Sequence, residues 1–279
     1  MFGRERTRNF EGVTHVVVQE PLNERHKRLL SRHRAVQIDQ IDPPSAGFDW
    51  LTPWAPTIEQ LLITDLSITD ISALPHFVNL THLTLYGGAL KGRKNRVAIS
   101  DLSALREFAG NWYDVLDDIF ASTTVETLHL DNPPPDIFQR VAGMAALTSL
   151  DIRPARKLHE IPRLDQPAKL TQLKIGLAKL DNIDGLSDYR HLKSLEFDTV
   201  KGLRDLTALR AMPHLRRLYL ENCGDIETLS FLADVHVEEL YLVGNTNIID
   251  GDLRSIGTNL RKASFPQRPH YNAKPVHLT

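Results

Sequence analysis

A six-residue pattern of aliphatic side chains recurs along most of this sequence. An aliphatic residue is followed by two residues, a second aliphatic, one residue and a third aliphatic, as in LTHLTL from Leu80 and LRRLYL from Leu215. Ten copies begin at residues 58, 80, 105, 125, 147, 170, 192, 215, 237 and 260. From residue 125 onward the spacing alternates between 22 and 23 residues. A period this regular predicts a stack of repeated supersecondary units.

A second apolar pattern lies between these copies. Apolar residues three apart follow several of them, for example Ile183, Leu186 and Tyr189, or Ile226 and Leu229. This spacing is typical of a 3₁₀ or tight helical turn with one buried stripe. Each unit is therefore predicted to be a short strand, a turn and a return segment. Neighbouring units must stack, because none can bury its apolar face alone.

The two patterns together resemble the leucine-rich repeat family, in particular its short 22-residue, internalin-like class. The resemblance covers about residues 33–268. It implies an α/β leucine-rich repeat solenoid with a horseshoe shape, a parallel concave β-sheet and short helical or 3₁₀ segments on the convex side. We expect an N-terminal cap at 1–57 that includes a diverged first repeat, leucine-rich repeats at 58–268 and a C-terminal tail at 269–279.

The N-terminal cap has its own pattern. We expect a strand at Thr14–Gln19 and a helix at Pro21–Leu30, with proline near the helix start. In the diverged first repeat, Val36 and Ile38 fit the strand. The residues expected in its buried return segment are Phe48, Leu51 and Trp54. The tail from Pro266 is expected either to extend over the last repeat or to be disordered.

The single cysteine, Cys223, stands three residues after the last aliphatic of the copy at 215. In leucine-rich repeats this position holds Asn or Cys and bonds the turn backbone, so the resemblance implies that Cys223 and Asn245 are successive structural rungs. Cys223-Gly224-Asp225 also resembles the Cys-x-Asp nucleophile of bacterial ubiquitin ligases that contain leucine-rich repeats, although those place it in a separate helical domain. Because a buried thiol with no aimed base is inert, we interpret Cys223 as structural and keep a Cys223-dependent enzyme as an alternative.

Residues between the strand aliphatics are expected on the concave face, because strand residues alternate between two faces. Aromatic side chains dominate the first copies and acidic ones the later copies. Exposed tyrosine and tryptophan in a charged surround are typical of interface anchors. The predicted partner-binding residues are Tyr86, Trp112, His129, Asp131, Asp151, Arg153, Lys174, Glu196, Asp198, Arg217, Tyr219, Glu221, Glu239 and Tyr241. The alternative is that these are solvated strand positions, with Trp112 packed into its own repeat.

Composition excludes several other classes of protein. The 279-residue chain has a formal net charge of −2 and one cysteine. It therefore has no global charge favouring nucleic acid or a membrane surface, no internal disulfide and no multi-cysteine zinc site. No apolar run approaches the roughly 20 residues of a membrane span, and the charged N-terminus lacks the apolar core of a secretory signal. We expect a cytoplasmic protein with no cofactor and no metal, and the oligomeric state stays open.

Two basic segments lie apart from the repeats. The first 34 residues include Arg25, Arg28 and Arg32 among their cations, and the segment Gly87–Arg96 reads GGALKGRKNR. The latter lacks the spacing of a phosphate-binding loop and predicts a solvated insertion. The former predicts a cap, because solenoids expose core at their ends. Its basic residues lack the interleaved aromatics of a nucleic-acid surface. Nucleic-acid association through this region is kept as an alternative.

No recognised catalytic set is present in the sequence. We therefore predict a non-enzymatic protein–protein interaction module that binds a partner protein on its concave face. The acidic row favours a partner with a basic surface. Because the chain reads as a bare recognition domain, an inhibitor or immunity-type role is compatible with it.

Overall fold

The recurring aliphatic copies form β-strands in the computed structural model, as their spacing predicts. The structure describes residues 7–10, 12–86, 99–112, 114–254, 260–274 and 276–277. These residues group into two compact units, 1–128 and 129–279. The predicted insertion at Gly87–Arg96 lies outside the described residues.

The first unit is built on a sheet of short strands. They are β1 (Thr7–Phe10), β2 (Val13–Val18), β3 (Ala35–Ile38), β4 (Gln60–Ile63), β5 (His82–Leu85) and β6 (Glu107–Asn111), while β7 (Thr127–Asp131) contains the point of division. β1 pairs with β2 antiparallel, and β2 to β6 pair in parallel in chain order. β3 and β4 therefore pair across residue 57, where we expect the cap to end and the repeats to begin. That boundary stays a prediction.

Helical segments connect these strands. They are the helix α1 (Glu24–Leu30) and the 3₁₀ segments Asp49–Thr57, Leu74–His76, Ile99–Asp101 and Asp114–Ala121. α1 begins three residues after the expected Pro21, because the Asn23 side chain caps it by accepting hydrogen bonds from the backbone N–H groups of Arg25 and His26.

Two residues of the first unit depart from the simple repeat. Trp54 is only half-buried and Ala55 is fully buried, so the expected return-segment position is shifted by one residue. Gly110 occupies an aliphatic position of the irregular copy at 105. A Cβ there would lie 2.0 Å from the Leu85 carbonyl oxygen on β5, and the backbone φ is +150°. Only glycine allows this close approach between β5 and β6.

The second unit repeats the same construction with greater regularity. Its strands are β8 (Ser149–Ile152), β9 (Gln172–Gly176), β10 (Ser194–Asp198), β11 (Arg217–Glu221), β12 (Asp225–Ile226), β13 (Glu239–Val243), β14 (Asn247–Ile248), β15 (Lys262–Ser264) and β16 (Val276–His277). The strands β8, β9, β10, β11, β13 and β15 pair in parallel in that order. β16 adds antiparallel to β15, and β12 pairs with β14 separately.

The core of the second unit is a ladder of aliphatic side chains. Leu173, Leu195, Leu218 and Leu240 are in register and fully buried. The return segments are the helix α2 (Ile137–Val141) and the 3₁₀ segments Asp184–Asp188, Thr207–Ala211 and Ser230–Asp234. The residues three apart that predict them, among them Leu186, are buried. The predicted strand and return pattern is confirmed.

The predicted rung at Cys223 is buried, whereas Asn245 is exposed, although its Oδ1 does bond the turn backbone by accepting from the Gly224 N–H at 3.2 Å. The Cys223 thiol is 4% exposed and donates to the carbonyl oxygens of Phe197 and Glu221, at 3.5 and 3.3 Å. In the next repeat the inward position belongs to Thr246, which is fully buried, while Asn245 is exposed. The Thr246 hydroxyl donates to the Leu220 carbonyl oxygen and accepts from the Cys223 N–H, both at 3.1 Å.

The C-terminal segment lies against the last repeat, in agreement with the first of the two expectations for it. The Tyr271 hydroxyl accepts a hydrogen bond from the Ile248 N–H at 3.0 Å. Asn272 Oδ1 accepts from the N–H groups of Leu253 and Arg254, at 2.9 and 3.0 Å. These bonds satisfy backbone groups that the next repeat would otherwise pair, which is the work of a solenoid cap.

Candidate binding face of the second unit

The side chains that alternate with the core along the strands of the second unit are mostly charged or aromatic. We call them the polar sheet face. Its members are Asp131, Asp151, Arg153, Lys174, Glu196, Asp198, Arg217, Tyr219, Glu221, Glu239, Tyr241 and Lys262. All but Asp131 and Arg153 lie on β8 to β15, and Arg153 directly follows β8. Parallel pairing in register sets these side chains in rows across the strands.

Tyr219 and Tyr241 form the aromatic centre of this face. They are in register on β11 and β13, with ring centroids 5.6 Å apart and ring planes inclined at 41°. The Tyr219 hydroxyl donates to Glu221 Oε2 at 2.9 Å, and the Tyr241 hydroxyl donates to Glu239 Oε2 at 3.1 Å. Because each ring is anchored at its hydroxyl and by its neighbour, the pair is a pre-formed aromatic surface.

Two cations of the chain itself lie against Tyr241. The Arg217 guanidinium carbon is 5.2 Å from the ring centroid, and the Lys262 ammonium nitrogen is 5.3 Å from it. Both distances are within cation–π range. Lys262 is not among the predicted binding residues, although its place in the strand copy at 260 puts it on the same face.

Asp151 departs from the expected exposed acidic row. It is 7% exposed, and its Oδ2 accepts from Arg153 at 2.8 Å and contacts His129 Nδ1 at 3.4 Å. Burial by itself would raise the pKa of Asp151, but the hydrogen bond from His129 and the charge of Arg153 outweigh it and lower the pKa below its usual value. Asp151 is therefore a buried anion shared by two partly exposed side chains, His129 at 37% and Arg153 at 43% exposure.

The neighbouring Asp131 has the opposite electrostatic setting. Burial, and then the negative charge of Asp151, raise the pKa of Asp131, while Arg153 opposes them. The pKa values of these two nearby carboxylates are thus shifted in opposite directions, and Asp151 is the one stabilised in its charged form.

The remaining charges of the face divide into paired and unpaired groups. Lys174 pairs with Glu196 at 3.3 Å, and Arg217 with Glu239 at 3.9 Å. Asp198 and Glu221 are in register on β10 and β11, and neither forms an ion pair with any residue that the structure describes. Like charges directly opposite each other on adjacent strands are destabilising.

Two predicted binding residues belong to the first unit. Tyr86 directly follows β5 and is 40% exposed, as expected for a contact residue. Trp112 directly follows β6; it is only half-buried, but its indole nitrogen is buried. Contact with a partner stays the prediction for Trp112, and packing into its own repeat stays the alternative. His129, which is also a predicted binding residue, lies on β7 and belongs to the second unit.

Cys223 has the surroundings of a structural thiol. Burial, as the largest cause, raises the pKa of Cys223 to about 11. At neutral pH the group is therefore almost entirely the protonated thiol, which is a poor nucleophile. Its thiol contacts the backbone carbonyl oxygens of Phe197 and Glu221, and its backbone N–H donates to the Thr246 hydroxyl. The geometry does not support the alternative of a Cys223-dependent enzyme.

The basic residues of the N-terminal region are only partly available to a ligand. Arg8 lies 4.0 Å from Asp39, Lys27 pairs with Glu24 at 2.7 Å and Arg34 pairs with Glu59. Arg4 and Arg6 lie outside the described residues. Arg25, Arg28 and Arg32 are exposed around α1. Among the described residues, these cations form no continuous track of the kind that binds a phosphate backbone.

Two other kinds of site are absent from the part of the chain that the structure describes. No three His, Cys, Asp or Glu side chains in it are placed to hold a metal ion together. Among the same residues, no helix has the length and hydropathy needed to span a membrane.

Comparison with known structures agrees with this architecture. A crystal structure of an internalin from Listeria monocytogenes matches with a TM-score of 0.56 and 17% sequence identity, over 93% of this chain and 82% of that chain. This chain has the leucine-rich repeat fold. A second Listeria internalin matches with 17% identity, a TM-score of 0.46 and coverage of 70% and 84%. A leucine-rich repeat protein from Leptospira interrogans matches with 13% identity, a TM-score of 0.38 and coverage of 88% and 81%.

No protein-family model matches the sequence, and no curated protein matches it. The leucine-rich repeat fold generally mediates protein–protein interaction, and proteins with it are typically non-enzymatic. The fold fixes a framework, and function depends on the side chains displayed on it.

Proposed function

We propose that this leucine-rich repeat protein binds a partner protein through the polar sheet face, without chemistry of its own. The observation that supports the proposal is the anchored pair of Tyr219 and Tyr241 on an otherwise charged surface. Large aromatic side chains with fixed hydroxyls are typical hot-spot residues, and rigid presentation lowers the entropic cost of binding.

The proposed partner has a basic surface where it meets this face. Six carboxylates stand on the face against four basic side chains, and Asp198 and Glu221 form no ion pair with a described residue. Such an excess steers a basic partner and makes association depend on ionic strength. In the finer form of the proposal, the protein is cytoplasmic and acts as an inhibitor by covering the partner's working surface.

The experiment is affinity capture followed by a measured affinity. Wild type and a Tyr219→Ala, Tyr241→Ala variant are used as bait, captured proteins are identified by mass spectrometry, and the purified partner is titrated by calorimetry. The double variant is expected to weaken binding at least about 30-fold, since hot-spot truncations cost about 2 kcal/mol or more.

The matched control variant is Arg190→Ala, Arg210→Ala, which removes two exposed side chains near the return segments. It is expected to bind as wild type does. A partner lost equally by both variants, or by neither, would contradict the proposal that the polar sheet face is the binding surface. If the captured partner is an enzyme, its activity with excess wild-type protein tests inhibition directly.

A further inference from the structure

The two tyrosines of the polar sheet face have the same backbone setting but different electrostatic surroundings. Tyr241 has two cations of its own chain within 5.2 and 5.3 Å of the ring centroid, Arg217 and Lys262. Glu239, which accepts from the Tyr241 hydroxyl, lies 3.9 Å from Arg217. The chain therefore supplies its own cations to the Tyr241 ring and to the Glu239 carboxylate.

Tyr219 has the carboxylates but not the cation. Its hydroxyl donates to Glu221, and Glu196 is its in-register neighbour on β10. After burial, the hydrogen bond to Glu221 and the negative charges of Glu221, Glu196 and Asp198 raise the pKa of Tyr219. Three carboxylates thus act on this ring, while no described Lys or Arg lies over it.

The other basic residues of the face form their ion pairs elsewhere. Lys174 pairs with Glu196 at 3.3 Å, and Arg153 pairs with the buried Asp151 at 2.8 Å; the charge of Arg153 also acts on Asp198, but the two form no ion pair. Asp198 and Glu221 therefore face each other across adjacent strands with no cation bound between them in the described structure. This arrangement costs free energy in the unbound protein, and a cation from outside would relieve it.

We infer that Tyr219, Asp198 and Glu221 form a recognition site for a basic side chain of the partner, with arginine preferred over lysine. The inference rests on the proposed function, because the side chain comes from the bound protein. Arginine fits best, since a planar guanidinium can stack on a tyrosine ring and donate hydrogen bonds to carboxylates at the same time, whereas a lysine ammonium is a compact, strongly hydrated charge. Tyr241 with Arg217 shows the same pairing within one chain.

The test uses small probes and does not need the partner. N-acetylarginine amide, N-acetyllysine amide and N-acetylcitrulline amide are each titrated into the full-length protein, and the Tyr219 ring signals are followed by NMR after assignment with Tyr219→Phe. Citrulline has nearly the shape of arginine without its charge. We expect saturable shifts with arginine in the millimolar range, at least about threefold weaker binding of lysine, and no saturation with citrulline.

Variants then separate the site from general electrostatics. Asp198→Asn, Glu221→Gln should weaken arginine binding at least about fivefold. The control Glu160→Gln, Asp234→Asn makes the same change in net charge at exposed positions outside the polar sheet face and should have no such effect. Urea unfolding midpoints of both double variants verify that each is folded.

Two results would overturn the inference: equal shifts with arginine and citrulline, or arginine binding that survives Asp198→Asn, Glu221→Gln. These outcomes are distinguishable from failure of the proposed function. A partner whose binding is lost in Tyr219→Ala, Tyr241→Ala but kept in Asp198→Asn, Glu221→Gln would leave the function standing and remove the arginine site. Arginine binding by a protein that captures no partner on this face would keep the arginine site and contradict the proposed function.

Discussion

At the scale of single residues, Asp151 illustrates how burial changes the role of a charge. The sequence places it on the outward side of a strand, where it reads as one more acidic contact residue. In the structure it is 7% exposed and holds His129 and Arg153 together. No sequence pattern marks this difference, because it depends on how the Arg153 side chain lies over Gly176, where an added Cβ would come within 2.9 Å of Arg153 Cβ.

Asp151→Asn is predicted to lower the free energy of unfolding by roughly 1–3 kcal/mol at pH 7, because Arg153 and His129 lose the buried negative charge with which they pair. The pKa of Asp151 is lower in the folded protein than its ordinary value, so the folded state binds the proton less well. The contribution is therefore complete above about pH 4 and is lost as the pH falls through the folded pKa. Urea unfolding of wild type and variant at pH 7 and pH 3 measures both effects.

Asp136→Asn is the control for this prediction. Asp136 also accepts a hydrogen bond from an arginine, Arg140, which lowers its pKa, but its side chain is 49% exposed. An exposed pair of this kind contributes about 0–1 kcal/mol. Equal losses of stability in the two variants would mean that the burial of Asp151 has no energetic role.

The single thiol gives a second prediction at the residue scale. With a pKa of about 11 and 4% exposure, Cys223 should react with a disulfide reagent such as DTNB only when its repeat opens. In native buffer at pH 7.5 we expect labelling at least about 100-fold slower than in unfolding urea, measured by absorbance at both conditions. Rapid labelling of the folded protein would show a reactive cysteine and reopen the enzymatic alternative.

At the scale of elements, the period of the aliphatic copies was enough to locate the strands and most of the return segments. A strand residue separated from its partner by 22 or 23 positions lies in register with it, as Leu195 does with Leu173 and Leu218. The errors occur where local backbone conformation decides which side chain points inward. Thr246 takes the buried position expected of Asn245 after Gly244, whose φ is +65°, and Ala55 takes that expected of Trp54. The extent of side-chain pairing on the polar sheet face could not be predicted at all, because it depends on rotamers across several strands.

Gly185 gives a prediction that belongs to the stacking of elements. It is the second residue of the 3₁₀ segment Asp184–Asp188, and a Cβ on it would lie 2.1 Å from the Pro162 carbonyl oxygen and 2.3 Å from that of Ile161. Gly185→Ala must push neighbouring return segments apart, at a cost of roughly 1–3 kcal/mol or more. Gly143→Ala is the matched control, since nothing lies within 4 Å of its Cβ position. Denaturant midpoints should fall for Gly185→Ala alone.

At the scale of the whole molecule, the chain has separate natural probes for its two units. Its three tryptophans, Trp50, Trp54 and Trp112, all lie in residues 1–128, and its one cysteine lies in residues 129–279. In a stack of repeats, each repeat contacts only its neighbours, so the stability of the stack is a sum of local contributions. A change in one repeat therefore acts most strongly on the repeats beside it. Tryptophan fluorescence and Cys223 reactivity can therefore follow the two units in one experiment.

We predict that Gly185→Ala lowers the urea midpoint measured by Cys223 reactivity more than the midpoint measured by tryptophan fluorescence. The substitution lies in the second unit, and its strain acts first on the return segments stacked there. Wild type serves as the reference for any difference that already exists between the two probes. Equal displacement of both midpoints would contradict the prediction and show that the chain unfolds as one cooperative body. In that case a partner bound on the polar sheet face would stabilise residues 1–128 as strongly as the unit it contacts.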